Sequence, residues 1–415
     1  MRHLRILVSA TAFLVIAAVA VGLSLLSPVR LPASPTVELP RTTRTTCLQS
    51  GDALVYAPGS LTARSTEAGE ELFASTGPIF APELEGPFVI RADSLAVAGV
   101  YAAGPARTFA PCAPAATSGT IVVTEPGDAE LIITNSDANE AIVDLTLLGP
   151  DGEVAAVGAR GIAVAPGVSR RIALSVLAPE GPVGVSFTAS EGRVAMAAVN
   201  VEGRAARYVG PTRPAVQHLI GGVPPGAADV QLVITNPREE RADVTVTALG
   251  ATSSYELAAT ADLSVEPMSS VAVPIADSLG GEASGIRVDS TSDVAAAVVV
   301  SGPTGSPATL THSAAARELA AATMGGALQI TNPGTDPVTA KVTAGEELEL
   351  TVPPGATVVH VLPLAQFQAV TVTADGPVIA SAATSEATGT IIVPLGKVAD
   401  EPGAPGSAEL DAHLR

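Results

Sequence analysis

Apolar and polar positions alternate with a period of two along most of this chain, and three stretches carry the alternation to the same ending. They are Leu131-Ile132-Ile133-Thr134-Asn135, Leu232-Val233-Ile234-Thr235-Asn236 and Leu328-Gln329-Ile330-Thr331-Asn332. β-Branched residues suit a pleated, half-buried surface. An Asn at the end can bond its own backbone two residues on, and Asn236-Pro237 and Asn332-Pro333 are strong turn signals. Each copy therefore predicts a strand running into a turn. Alternating strands follow at 142–147, 244–248 and 338–342, and then strands broken by proline at Pro166, Pro267 and Pro353-Pro354. Each repeat then closes with two apolar runs that predict a hairpin: 185–187 with 194–196, 286–288 with 294–296, and 370–372 with 378–380. Glu191-Gly192 and Asp375-Gly376 supply two of the tips. A fourth hairpin, 88–90 with 95–97, implies a degenerate first module. Its residues 59–87 read as loop apart from Ile79-Phe80.

The motif asparagines are 101 and 96 residues apart, the size of one β-sandwich of about 100 residues. Propeller blades run to roughly 40–50 residues, so a propeller would need two blades in each period. The expected fold is all-β: tandem immunoglobulin-like β-sandwich modules after an N-terminal transmembrane helix. The modules span 47–112, 113–212, 213–312 and 313–396, each with its own core, and residues 397–415 read as a disordered tail.

The N-terminus adds a location. Residues 1–5 carry Arg2, His3 and Arg5 and read as a cytoplasmic stub, and Ile6–Leu26 is an uncharged apolar run long enough to cross a bilayer. The positive flank predicts a single-pass anchor with a cytoplasmic N-terminus and the bulk outside the cell membrane. Ala18-Val19-Ala20 would fit a cleaved signal peptide, but the run continues to Leu26, which favours the uncleaved anchor at 6–26. Pro28, Pro32, Pro35 and Pro40 make 27–46 an extended linker.

Composition narrows the picture further. With 47% apolar and 15% charged residues the chain must fold. Aromatics are 3% and Trp is absent, so the cores are aliphatic and small. A net charge of −19 argues against nucleic acid and against anionic lipid headgroups. The two cysteines, Cys47 and Cys112, bracket the first module. An even count in an exported chain reads as a disulfide, worth roughly 4 kcal/mol on the chain-entropy model. No C-x-x-C spacing supports a redox pair.

Candidate chemistry is sparse. His3, His218, His312, His360 and His413 form no H-x-x-x-H pair. His218 and His312 are 94 residues apart, close to the repeat, which predicts equivalent structural positions rather than a metal site. There is no G-x-S-x-G elbow and no P-loop. The acidic turns at 137–140, 239–240 and Asp336 lack the ligand density that calcium needs. Tyr56, Tyr101, Tyr208 and Tyr255 are scattered and form no stacking platform for sugars. The expectation is no catalytic, cofactor or metal site, and no enzyme.

The order of strand, Asn-Pro turn, alternating strand and Pro-Gly turn resembles an actinobacterial membrane-anchored family known as domain of unknown function 5719, and related bacterial surface repeats. The resemblance is clearest at Ile330-Thr331-Asn332-Pro333-Gly334, Pro353-Pro354-Gly355-Ala356 and Asp375-Gly376-Pro377-Val378. It implies an envelope location and a sandwich array, and no activity. The expected role is that of a spacer or interaction module with envelope proteins as partners. Binding of a cell-wall polymer is the alternative, and an enzyme with a site between modules a third.

Overall fold

The computed structural model describes residues 37–39, 43–102, 108–178, 180–202, 205–302, 307–363, 367–386, 389–398 and 406–408. The fold is all-β, with multiple antiparallel sheets and only two four-residue α-helices, Leu174–Leu177 and Ala276–Leu279, among the described residues. The predicted stub and anchor at 1–26 lie outside the described residues. Among those described, no helix is long and apolar enough to cross a membrane. The chain divides into two compact units, 42–401 and a smaller one made of 1–41 and 402–415. In the smaller unit Val37–Leu39 pairs antiparallel with Gly406–Ala408, so both the predicted linker and the predicted disordered tail contain strand.

In the larger unit every repeat makes two sheets. In the third module the sheet holding the Ile-Thr-Asn strand contains Ser269–Pro274, Asp229–Asn236, the second half of Ser284–Ser301, and Ala308–Leu310. Its companion sheet contains Ser254–Glu256, Ala242–Leu249, the first half of Ser284–Ser301, and Ala215–Val223. Alternation puts Leu232, Ile234, Val246, Val288 and Val298 between the two, in one core. Leu131, Ile133, Leu328 and Ile330 occupy the same places in the second and fourth modules, fully buried as the alternation predicts.

The predicted hairpins are not hairpins. The runs at 286–288 and 294–296 belong to one strand, Ser284–Ser301, which leaves the companion sheet and enters the motif sheet. Gln368–Glu386 does the same in the fourth module. In the second, Val183–Glu191 and Ala195–Glu202 pair with different sheets, and in the first so do Phe88–Ala92 and Val97–Ala102. A hairpin and a crossing between sheets have the same local alternation. What differs is the partner strand, which lies elsewhere in the sequence.

The first module is also more complete than its sequence suggests. Residues 59–87 hold three strands, Ser60–Ser65, Glu71–Thr76 and Ile79–Leu84. Two of them, Glu71–Thr76 and Ile79–Leu84, lie at sheet edges and are only partly buried, which weakens their period in the sequence. The module starts at Thr43, inside the predicted linker. Its sheets are joined across the core by the disulfide Cys47–Cys112.

The modules do not form an open string of separate bodies. One packing rule repeats: the motif sheet of each module lies on the companion sheet of the module before it. Val122 of the second module packs with Val233, Ala295 and Ala297 of the third. Leu48 of the first packs with Ile132, Ala195 and Ala197 of the second. The rule also joins the ends of the array. Leu54, Tyr101 and Phe109 of the first module enter the hydrophobic core of the fourth, and Phe80 meets Phe367 with ring centroids 6.3 Å apart. The four modules thus close into a ring of face-to-face sheets. Propeller blades pack in this way, although here the chain crosses between two sheets within each module.

Candidate functional site

The chemistry that recurs in the repeat, its Thr-Asn pair, serves architecture. Asn135, Asn236 and Asn332 are fully buried. Each side-chain oxygen accepts from the backbone N–H two residues on, at Asp137, Arg238 and Gly334, at 2.9–3.0 Å. Each amide donates to Asn139 O, Glu240 O or Asp336 O within the same loop, and to Val164 O, Val265 O or Val352 O before the proline turn. One side chain therefore ties two sheet-crossing corners together, with few unpaired polar atoms left behind.

The threonines link modules. Thr235 Oγ1 lies 2.8 Å from Ser270 Oγ, which donates to Leu148 O of the preceding module at 2.7 Å. One junction later Thr331 Oγ1 lies 2.8 Å from Thr357 Oγ1, which donates to Leu249 O at 2.7 Å and accepts from Gly285 N at 3.1 Å. The approach is close because the preceding module offers glycine: a Cβ on Gly184 would lie 2.2 Å from Thr235, and one on Gly285 2.8 Å from Thr331.

The last strands of the four modules, Thr108–Pro111, Ala205–Val209, Ala308–Leu310 and Gly389–Pro394, converge on a cavity of about 90 Å³. Phe109, Tyr208, Thr309 and Ile392 each contribute to its wall. The hydroxyls of Thr108, Thr309 and Thr390 are buried there without a hydrogen-bond partner in the protein. The space suits ordered water and is well below the several hundred Å³ of a small-molecule site.

The two histidines meet beside this cavity, their rings 5.7 Å apart and edge to face. They are not repeat equivalents, contrary to the expectation from their spacing. Ala215 and Ala316 begin equivalent strands, and His218 faces Val288 where Leu319 faces Val372, so the counterpart of His218 is Leu319. His218 is buried, with Nε2 2.6 Å from Val294 O. Burial holds its pKa below the usual histidine value, and burial followed by the neighbouring His218 does the same for His312. Burial thus favours the neutral form of both. Among the described residues no group of three or more His, Cys, Asp or Glu could hold a metal ion.

A concavity of about 860 Å³ lies on the third module between Asp243–Val246, Glu256–Leu263 and Asp289–Thr291. Its described lining includes no His, Cys, Lys or Tyr, and its carboxylates have only Arg241 as a cationic neighbour. Close by, Tyr255 bonds Glu282 at 2.8 Å, and desolvation with that bond pushes its pKa up to about 12, away from any role as a base at neutral pH.

The family model described as Family of unknown function (DUF5719) matches residues 97–344, more than half of the chain. The chain belongs to this family. The match enters in the strand Val97–Ala102 of the first module and ends with Val338–Ala344 of the fourth, so it takes in the second and third modules whole. None of the curated proteins matches. A solved structure titled as that of infectious bursal disease virus, Gx strain, aligns over 92% of this chain and 91% of that one at 11% identity, with a TM-score of 0.11. A likeness at that score carries no inference.

Proposed function

We propose that this DUF5719 protein is a non-catalytic, membrane-anchored component of the cell envelope, a rigid spacer and protein-interaction module held outside the cytoplasm. Its two-sheet modules are read as immunoglobulin-like sandwiches in a closed array. The observation that carries this reading is the set of corner loops pinned by buried Asn135, Asn236 and Asn332. Exposed loops on a rigid scaffold are a common basis for recognition. The disulfide supports an oxidising compartment, and Ile6–Leu26 behind Arg2 and Arg5 supports the anchor. Crosslinking in intact cells, repeated with the exposed corner residues Glu239 and Glu240 replaced by Lys, tests it. The expected result is a defined protein partner lost in the variant. Recovery of wall polymer instead of protein, or turnover of a small molecule by the purified chain, would overturn it.

A further inference from the structure

The first-module sheet that holds Thr43–Cys47, Phe88–Ala92 and Ser60–Ser65 breaks the charge pattern of the molecule where it meets the second module. Arg44 and Arg91 are direct cross-strand partners, and Arg91 is in turn paired with Thr62. The next row on the same face holds Thr46, Val89 and Arg64. Like charges placed directly opposite each other in a sheet are destabilising. Three strands nevertheless place three arginines around one concavity of about 220 Å³, whose wall also includes Thr62, Ser65, Thr66 and Ser136. The chain as a whole carries −19.

The carboxylates nearby do not balance this cluster. Asp137 spends one oxygen on Arg44 at 2.7 Å and the other on Arg193 at 3.0 Å. Glu71 sits 3.5 Å from Arg64 in an exposed pair, which is worth little. Arg91 makes no ion pair among the described residues, while Arg44 donates Nη1 to Asp137 and Nη2 to Ser136 O and keeps only its buried Nε without a hydrogen-bond partner. Burial, together with repulsion from Arg91 and Arg193 that Asp137 opposes, lowers the pKa of Arg44. Arg44, Arg64 and Arg193 share the carboxylates of Asp137 and Glu71 and Arg91 is paired with neither, while Glu67 and Glu70 lie exposed on the turn that carries Thr66 and Gly69.

We propose that the concavity ringed by Arg44, Arg64 and Arg91 is an oxyanion site that takes a phosphate group. A carboxylate is satisfied by one bidentate guanidinium. A tetrahedral phosphate presents more oxygens, and it matches donors arriving from three strands together with hydroxyls. The inference does not rest on the interaction-module reading. The phosphate could belong to the free ion or to a phosphodiester of a wall polymer, and the chemistry at the arginines is the same.

The test is titration calorimetry on the full-length protein in detergent, at constant ionic strength, with inorganic phosphate, a glycerol-phosphate oligomer and acetate. Phosphate should bind with at least tenfold preference over acetate. Arg91→Gln should lose at least tenfold in phosphate affinity and, in phosphate-free buffer, melt no lower than the parent, because it relieves the Arg44–Arg91 repulsion. A purely structural role for Arg91 would instead lower the melting temperature. Binding of the oligomer as well as the ion supports a polymer as the source, and binding of the ion alone supports free phosphate. Equal weak binding of phosphate and acetate, or undiminished phosphate binding by Arg91→Gln in a folded protein, would overturn the proposal.

Discussion

Phe80 of the first module and Phe367 of the fourth lie with their rings 6.3 Å apart, and their contact closes the array. Around them Tyr56, Leu54 and Tyr101 pack into the core of the fourth module. The junction is therefore hydrophobic, whereas the junctions between the second, third and fourth modules add hydroxyl links to their apolar packing. Truncating Phe367 to Ala removes a partly buried aromatic, and a fully buried one costs about 3–5 kcal/mol. A loss of about 1–3 kcal/mol is expected here, measured by urea denaturation. It should lower the stability of the whole larger unit, since opening one junction frees both ends of the ring.

Thr357→Val tests the hydroxyl links. The substitution keeps the shape of the side chain but removes the bonds to Leu249 O, Thr331 and Gly285 N. Losing these buried hydrogen bonds together should cost about 1–3 kcal/mol. Gly285→Val should be worse, because even a Cβ there would press on Thr331 at 2.8 Å. Thermal melts of both variants give the order: parent, Thr357→Val, Gly285→Val.

Asp137 and Arg238 hold the same position in successive repeats, and each pairs with the corner across from it, Asp137 with Arg193 and Arg238 with Asp293. The signs are reversed between the two modules. Arg238→Asp or Asp293→Arg alone should destabilise by about 0.2–1 kcal/mol, as exposed pairs do. The double swap should recover most of that loss in a double-mutant cycle, since the second module already uses that arrangement.

Acid should weaken the ring at His218. Its pKa is depressed in the folded state by burial, so the folded protein binds fewer protons there than the unfolded chain. Its contribution is complete above the unfolded value of about 6.5 and is lost as pH falls from there through the lower folded value. His218→Leu installs the residue of the equivalent position, Leu319. The variant should lose less stability than the parent between about pH 7 and pH 5, a window set by that unfolded pKa, in denaturation curves at several pH values.

These positions differ in how far the sequence disclosed them. The motif strands, the burial of Ile133, Ile234 and Ile330, the Asn turns and the Cys47–Cys112 disulfide follow from alternation, turn chemistry and cysteine count, all short-range or compositional signals. The sheet crossings do not, because Val288 and Val294 alternate with their neighbours in the same way whether their strands pair together or with strands elsewhere. Ring closure is hidden for the same reason: Leu54 and Phe80 look like any half-buried strand residues until the fourth module covers them. Arg44, Arg64 and Arg91 are unremarkable in sequence and become one cluster only through strand register.

Hydrogen exchange measured by mass spectrometry on Ile234→Ala tests the closed ring most directly. The side chain is fully buried in the core of the third module, and its truncation should cost about 2–5 kcal/mol. If the ring is one cooperative body, the slowest-exchanging amides in all four modules lose protection together, including those of Gly51–Tyr56 and Gly326–Thr331. Loss of protection confined to residues 213–312, with the other modules exchanging as in the parent, would contradict it.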